Sequence, residues 1–331
     1  MALPALFEGR LSLPVIGAPM FIVSQPALVI AQCLNGVVGS FPALNARPAT
    51  LLEPWLKQIT EALAAARAED PARTVAPFAV NQIVHGTNPR LEHDLELCIQ
   101  YRVPLIITSL SAPGQLVQRI HNYGGLVFHD VISVRHAQKA LGEGVDGLIL
   151  VCAGAGGHAG TLNPFAFVES VRRFWDGPLV LSGAIANGRA IRAAEVMGAD
   201  FAYMGTRFIA TREAFASEAY KAALVDAEAG DIINTPYFTG VAGNYLRSSI
   251  LAAGLDPDHL PVRDKSIMDF AAVEAAGSKV WRDIWGAGQS VSGIAEVSTV
   301  AVLVERLKAE YFSATMSRFT WPSSSVGRAE D

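Results

Sequence analysis

The chain has 331 residues with 31 acidic and 26 basic side chains, so its formal net charge is -5 at pH 7. This balance offers no extended basic surface, which excludes duplex nucleic acid and anionic membranes as favourable partners and leaves a small ligand as the expected one. Hydrophobic residues make up 51% of the chain against 17% charged residues, as is typical of strands buried on both faces in a parallel sheet.

Eight short β-rich runs follow one another along the chain. They are "LPVIGAP" at 13, "GVVGSF" at 36, "VAPFAV" at 75, "VPLIITS" at 103, "GLVFHD" at 125, "GLILVCA" at 147, "PLVLSG" at 178 and "DFAYMG" at 200. Stretches with apolar residues at helical spacing separate most of them, at 48–69, 88–101, 112–124, 133–144, 163–175 and 187–198. Eight strands alternating with amphipathic helices predict an α/β fold, a (β/α)8 TIM barrel, rather than an open doubly wound sheet.

The sequence after the eighth run does not simply close the barrel. Residues 212–265 are rich in glycine and proline, which predicts an inserted cap beside the barrel mouth. The barrel proper is then expected within 1–211, and 266–315 are expected to supply a closing segment and the last helix, "VSTVAVLVERLKAEY". The serine-rich end, 316–331, is predicted to be disordered.

The cysteines and the apolar runs limit the compartment. Cys33, Cys98 and Cys152 are an odd number without metal-type spacing, which argues against a disulfide framework and a zinc site. Cys152 is expected to be a small buried thiol rather than a nucleophile. No signal peptide and no apolar run of roughly 18 residues is evident, so a cytoplasmic protein without a membrane span is expected.

Turns after the carboxyl ends of barrel strands build the active site of such a fold. The turns after the seventh and eighth runs, Ser182-Gly183 and Gly205-Thr206, consist of small residues. Backbone N–H groups of two adjacent turns of this kind converge on an anion, so the pair predicts a phosphate site. Either turn alone is explained equally well as a tight connection between strand and helix.

The stretch "LILVCAGAGGHAGTLNPFAF" at 148–167 sets one imidazole among small residues. Gly154, Gly156 and Ala159 match the spacing of a dinucleotide fingerprint. Asn163 followed by proline is the better helix start, however, so the glycines are predicted to lie in a loop. A planar ligand lying across this bare backbone would account for the missing side chains, and His158 would then face that ligand.

Six segments in this order resemble the nitronate monooxygenase family, formerly called 2-nitropropane dioxygenases, whose members are FMN-dependent barrels. The segments are "GAPM" at 17, "VNQIV" at 80, "AGAGGHAG" at 153, "LSGAIANGRA" at 181, "YMGTRFIAT" at 203 and "WGAGQSVSGI" at 285. The resemblance runs from about residue 10 to 311. Flavin-dependent enoyl-acyl-carrier-protein reductases and NAD(P)H:quinone reductases look similar across the same segments.

The resemblance implies that FMN is bound and that an alkyl nitronate, or a nitroalkane, is oxidised by O2 to a carbonyl compound and nitrite. It implies that His158 is the catalytic base, while Ser182, Gly183, Gly205 and Thr206 hold the phosphate. No metal is implied, and whether the chain forms a homodimer is left open. The residues implied to bind the cofactor are Gly17, Ala18, Pro19, Met20, Asn81, Asp130, Ala153, Gly156, Gly157, Ser182, Gly183, Gly205, Thr206, Gln289 and Ser290.

Asp130 departs from the family's pattern, because many relatives carry lysine at this position. A cation there would stabilise negative charge on a reduced flavin. Either another donor is expected to stabilise that charge in this chain, or the flavin is expected to differ in how readily it is reduced. Arg207 and Arg135 are the candidate substitutes.

Two other functions fit the same residues. One is an NAD(P)H-dependent flavin reductase that acts on a quinone or an enoyl thioester. The other is a phosphate-binding barrel without flavin, which would be colourless when pure.

Overall fold

The computed structural model describes residues 4–260 and 283–314. The strands, numbered in chain order, are β1 Val15–Gly17, β2 Gly39–Pro42, β3 Phe78–Val84, β4 Leu105–Leu110, β5 Leu126–Val131, β6 Gly147–Val151, β7 Gly157–His158, β8 Leu179–Ser182, β9 Phe201–Met204, β10 Ile232–Thr235 and β11 Gly243–Leu246. Eight of them form one sheet in the order β1-β9-β8-β6-β5-β4-β3-β2 with parallel neighbours. A parallel bridge between Ile16 and Val38 brings the two edges together. The predicted (β/α)8 barrel is therefore confirmed.

Helices connect the barrel strands on the outside, and further helices follow the last barrel strand. They are α1 Pro26–Leu34, α2 Leu52–Glu69, α3 Leu91–Gln100, α4 Leu116–His121, α5 Val134–Gly142, α6 Pro164–Arg172, α7 Gly188–Val196, α8 Thr206–Ile209, α9 Glu218–Asp226, α10 Arg247–Ala252 and α11 Val300–Ser313. Each of the six predicted helical stretches contains one of them. Helix α6 begins as predicted, with Pro164 as its first residue and Asn163 Oδ1 accepting a hydrogen bond from Phe165 N at 3.0 Å.

The barrel interior is filled with side chains, because alternate residues of each strand point inward. Leu105, Phe128 and Phe201 belong to this inner cluster, and Phe7 from the N-terminal segment packs on the two phenylalanine rings at centroid distances of 6.1 and 4.9 Å. Nearer the carboxyl ends of the strands, most of the inner side chains are polar. This inner layer at the barrel mouth contains Asn81, Ser109, Asp130, Val151, Ser182 and Tyr203.

The three cysteines are buried and free. Burial raises the thiol pKa of each to about 12, so the thiols are protonated at neutral pH. Cys152 is therefore the buried thiol that the sequence predicts. Within the described residues no helix combines the length and apolarity that crossing a membrane requires.

A second, three-stranded sheet stands beside the mouth and was not predicted. It has the order β10-β11-β7 and is antiparallel throughout. Gly157 and His158, which the sequence analysis placed in a loop, pair with Asn244 and Gly243 of β11. The predicted cap region contributes α9, β10, β11 and α10, but its boundaries remain a prediction. The predicted tail at 316–331 and the first part of the closing segment lie outside the described residues.

Candidate active site

A cavity of about 970 Å³ lies at the carboxyl ends of the barrel strands. This volume is near the upper end of the range of about 300–1,000 Å³ that is common for small-molecule pockets. Three predicted residues are not part of its lining, namely Gly17, Ala153 and Gln289. Gly17 packs against Gln32. The backbone N–H of Gln289 donates to Gly154 O at 2.9 Å. The predicted residues that do line it are Ala18, Pro19, Met20, Asn81, Asp130, Gly156, Gly157, His158, Ser182, Gly183, Gly205, Thr206 and Ser290.

His158 lies on one wall of this cavity, held by the second sheet. Its Nε2 is 2.9 Å from Thr239 Oγ1. Burial lowers the pKa of the imidazole to about 4, because the charged form loses its hydration. The side chain is therefore neutral at pH 7 and able to accept a proton. His129 is different, since it packs against Thr108 Oγ1 at 2.8 Å and does not line the cavity.

The glycine-rich loop before His158 interlocks with the loop at 286–290. An added Cβ on Gly156 would lie 2.9 Å from Gly288 N and 3.0 Å from Ala287 C. Asn244 Nδ2 of β11 also donates to Ala155 O at 2.6 Å. The expectation that a flat ligand explains the missing side chain is therefore wrong at Gly156, where the glycine makes room for protein backbone.

Gly157 is a glycine for a different reason. A Cβ there would meet nothing within 4 Å, but φ is 66°, a left-handed conformation that favours glycine. This conformation directs the chain into β7 and so positions the adjacent His158.

A hydrogen-bonded chain of strand residues forms the opposite wall. Asn81 Nδ2 donates to Ser109 Oγ at 2.7 Å, and Ser109 Oγ donates to Asp130 Oδ2 at 2.6 Å. Asp130 Oδ1 is buried and has no hydrogen-bond partner within residues 4–260 and 283–314, and the same holds for Tyr203 OH. Burial raises the pKa of Asp130 to about 7, against the lowering effect of the hydrogen bond from Ser109.

Sequence reasoning missed Ser109 and Tyr203. Neither lies in a glycine-rich turn, so neither belongs to the bare backbone from which the sequence predicts a site. The signal was the two-residue alternation of the strands, because Ile107 and Phe201 are inner residues and the residues two positions later share their side of the sheet.

The turns predicted to hold a phosphate offer backbone donors without a side-chain cation. The N–H groups of Gly183, Ala184 and Gly205 donate to no atom of the described residues. The first turn of α7 is already occupied, since Gly188 N donates to Glu310 Oε2 at 2.8 Å and Ala190 N to Asn187 Oδ1 at 2.9 Å. Neutral backbone donors of this kind suit a phosphate.

No lysine or arginine of the described residues lines the cavity. Arg207, a candidate substitute for a lysine at position 130, is 2% exposed, and the charges that act on it are Arg306, Glu310 and Glu296. Arg135 likewise lies outside the cavity lining. The cavity is therefore free of fixed positive side chains in its described part.

The outer rim of the cavity is apolar. Leu110, Ile132, Phe215 and Val241 line it and remain 40%, 41%, 60% and 36% exposed. Large exposed apolar side chains around a cavity mouth are typical of a binding surface.

Comparison with known proteins finds a family match over most of the chain. A family model described as nitronate monooxygenase matches residues 10–310. The nitronate monooxygenase of Paraburkholderia phytofirmans is 25% identical over 278 residues, which cover 74% of this chain and 76% of the relative. A solved nitroalkane oxidase from Streptomyces ansochromogenes superposes with a TM-score of 0.77 at 23% identity. The match covers 94% of this chain and 99% of that chain, which shows a shared fold.

Another relative has a different printed activity. The (3aS,4S,5R,7aS)-5-hydroxy-7a-methyl-1-oxo-octahydro-1H-indene-4-carboxyl-CoA dehydrogenase of Rhodococcus jostii is 27% identical over 208 residues, which cover 63% of this chain and 55% of the relative. The chain spans about half the length of this and two further curated relatives that it matches.

Proposed function

The chain belongs to the nitronate monooxygenase family, and from this premise we propose that it binds FMN and oxidises alkyl nitronates, or the parent nitroalkanes, with O2. In the balanced reaction, two nitronate ions and one O2 give two carbonyl compounds and two nitrite ions. The chemistry that a bound flavin supplies is the transfer of electrons from the nitronate to O2.

The observation that carries the proposal is a neutral histidine on the wall of a cavity whose described lining contains no lysine or arginine. A nitroalkane must lose its α-proton before it can be oxidised, and a neutral imidazole accepts protons. Burial keeps His158 neutral at pH 7. Once the proton has moved, the imidazolium and the nitronate anion attract each other strongly because little water separates them, which offsets the low basicity of the buried ring.

The cavity fits a flavin mononucleotide in three respects. Its volume of about 970 Å³ accommodates a ring system together with a small substrate. Gly183, Ala184 and Gly205 offer N–H groups for a phosphate, since these groups donate to no atom of residues 4–260 and 283–314. Asn81 and the backbone from Ala18 to Met20 lie along the same cavity and are the proposed contacts of the ring.

The apolar rim suits the alkyl part of the substrate. Leu110 and Ile132 extend the wall beyond the polar inner layer, so an alkyl chain pointing toward the mouth buries apolar surface. This arrangement favours an alkyl nitronate over a fully polar substrate.

The test is an anaerobic spectrum of the purified protein after adding propyl-2-nitronate, compared with one after adding NADH or NADPH. We expect the nitronate to bleach the oxidised flavin bands rapidly and the nicotinamides to leave them almost unchanged. Rapid bleaching by NADPH alone would instead establish the flavin reductase, and a colourless protein that takes up no FMN would establish the barrel without flavin.

The cofactor is tested separately. Heat-released cofactor should run as FMN in chromatography, with one equivalent per chain. Release of FAD, or no flavin after reconstitution with excess FMN, would contradict the assignment.

A further inference from the structure

A turn beside the cavity contains a residue in a strained backbone conformation. Ile22 lies in the turn at 20–24 and has a φ of 68°, in the left-handed region that a β-branched residue rarely adopts. Among the described non-glycine residues with positive φ, Ile22, Leu110 and Ala184 line the cavity, and Arg102 lies elsewhere. Strain of this kind persists where the surrounding structure imposes it, and it concentrates at ligand-binding sites.

One side chain outside the cavity lining holds this turn. Asn45 is 8% exposed and does not line the cavity. Its Oδ1 accepts a hydrogen bond from Ile22 N at 2.8 Å, and its Nδ2 donates to Met20 O at 2.9 Å and to Ser24 O at 2.8 Å. The turn also closes on itself, since Ser24 N donates to Met20 O at 3.0 Å and Ser24 Oγ accepts from Met20 N at 3.0 Å. Asn45 therefore holds the turn at both ends and at its strained centre.

The backbone around Asn45 is fixed in turn by a buried arginine. Asn45 is the last residue of the short 3₁₀ helix Ala43–Asn45, which follows β2. Arg90 is 5% exposed and donates from Nη1 to Ala46 O at 2.7 Å and from Nη2 to Ala43 O at 3.2 Å. Because these hydrogen bonds join buried groups, they give Asn45 a defined position from which to hold the turn.

The turn belongs to an apolar part of the cavity lining. Phe21 and Ile22 line the cavity and are half-buried, so their side chains keep accessible surface there. Val23 O accepts a hydrogen bond from Phe215 N at 3.0 Å, which joins the turn to an exposed residue of the rim. Leu44, the neighbour of Asn45 in the chain, lines the same cavity. We call the uncharged lining residues that these contacts connect the apolar subsite, namely Phe21, Ile22, Val23, Leu44 and Phe215.

We propose that Asn45 is a positioning residue that imposes the conformation of the turn at 20–24, and that the apolar subsite formed in this way takes the alkyl chain of the ligand. The inference rests on the proposed function for the kind of ligand, an anion with an apolar chain. Each methylene that the chain buries increases affinity by up to about 4-fold. A chain that lies along Leu110 and Ile132 alone would gain affinity independently of Asn45.

Unreactive carboxylates test the subsite without turnover. Propanoate and heptanoate share a planar head group with two oxygen atoms and differ only in chain length. Their affinities for the flavin-loaded protein are measured by isothermal titration calorimetry at pH 8, for the wild type, Asn45→Ala, Ile22→Gly and the double variant. Asn35→Ala is the matched control, because Asn35 Nδ2 donates to Ala31 O at 2.7 Å at the end of α1 that lies away from the turn.

We expect the wild type to bind heptanoate about 10- to 100-fold more tightly than propanoate, since the longer chain is partly buried. Asn45→Ala should reduce this ratio at least about 5-fold through weaker heptanoate binding alone, and should speed amide hydrogen exchange in the turn. Asn35→Ala should keep the wild-type ratio.

The Ile22 variants show whether Asn45 acts through the turn. Ile22→Gly keeps the N–H that Asn45 binds and adopts positive φ without strain, but it loses the side chain, so the ratio should fall about 3- to 5-fold. The double variant should resemble Asn45→Ala, because the contribution of Ile22 is already lost once the turn is released.

The subsite is overturned by a wild type that does not prefer heptanoate, by a wild-type ratio in Asn45→Ala, or by additive losses in the double variant. Equal weakening of both carboxylates in Asn45→Ala would also overturn it, since this is the result of a general structural role. If Asn45→Ala does not fold, Asn45→Ser takes its place with the same expectation.

Turnover separates this inference from the proposed function. A wild type that shows the expected ratios but oxidises no nitronate keeps the subsite and loses the proposed function. One that oxidises short and long alkyl nitronates with the same KM, and shows no preference for heptanoate, keeps the function and loses the subsite.

Discussion

The cavity has two polar walls that are built in different ways. The strand wall consists of Asn81, Ser109, Asp130 and Tyr203, whose backbones are fixed by the parallel ladders of the barrel. The loop wall carries His158 on a two-residue strand, which depends on β11 and on the loop at 286–290 for its position. Both walls bury a titratable side chain, and in both cases burial favours the neutral form.

The strand wall is the more rigid of the two, and the loop wall is the more adaptable. Every strand residue of the first wall is covalently part of the barrel core, so its position changes only if the barrel changes. The loop wall is assembled from segments separated by about 80 to 130 residues, which meet through single hydrogen bonds such as Asn244 Nδ2 to Ala155 O and Gly288 N to Thr206 Oγ1. We therefore expect substitutions in the loop wall to affect catalysis and local order, and those in the strand wall to affect charge.

The largest effect is expected from His158→Asn in the loop wall. Turnover of neutral nitroalkanes should fall about 100- to 10,000-fold, the usual contribution of a positioned base, whereas preformed nitronates should lose much less. Steady-state kinetics of both substrate forms at matched flavin content measure this difference. His136→Asn, which changes another histidine of the cavity lining, is the control.

The same residue sets a pH dependence. Since the lowered pKa of His158 is about 4, nitroalkane turnover should hold as the pH falls from 7 and be lost only as it passes through about 4, where the imidazolium forms. Equal losses with both substrate forms in His158→Asn would show that this side chain binds or supports rather than removes a proton.

Gly288→Ala should break the contact between the two loops of the loop wall. The new Cβ would lie 2.7 Å from Gly156 N and 3.0 Å from Ala155 C, where backbone has to move. We expect about 1–3 kcal/mol of destabilisation and a melting temperature lower by about 2–12 °C, measured by circular dichroism. Gly86→Ala, whose Cβ would meet nothing within 4 Å, should leave it unchanged; similar losses in both variants would contradict the interlocked loops.

Asp130→Lys tests whether the strand wall acts on the flavin by charge. An ammonium group beside the ring should favour the anionic reduced forms, so the two-electron reduction potential should rise by on the order of 30 mV, a tenfold change in the equilibrium. Anaerobic titration with a reference dye measures the potential. An unchanged or lower potential would show that position 130 does not sense the flavin.

The smallest effect is expected on stability, from Asp130→Asn. The folded protein holds a proton on Asp130 up to about pH 7, whereas an unfolded aspartate releases it near about pH 3.9, so the wild type loses stability as the pH rises between these values. Asparagine has no such loss. The full pKa difference corresponds to about 4 kcal/mol, but Asp130 is only partly shielded from water. The variant should therefore gain about 1–2 kcal/mol more at pH 8.5 than at pH 4, measured by thermal unfolding and compared with the exposed Asp176→Asn. A gain independent of pH would contradict the buried neutral carboxyl.

Particular residues show how far sequence reasoning extends into the site. Asn163 and Pro164 begin α6 as predicted, because a helix start is a local property of the chain. Ser182, Gly183 and Gly205 line the cavity as expected from their places after strands. Gly156 lines it too, but for a reason that the sequence does not carry, since its tight neighbour is Gly288, 132 positions away.

The amino-acid sequence is enough to predict the barrel and the location of its mouth, because apolar alternation and helical spacing are local patterns that a parallel (β/α)8 arrangement satisfies with short connections. It also singled out His158. The strand that carries this histidine, the burial of Asp130 beside the cavity and the lack of a described cation in the cavity lining are visible only in the folded chain. The physical reason is that burial and hydrogen-bond satisfaction depend on residues distant in sequence, whereas periodicity depends on near neighbours.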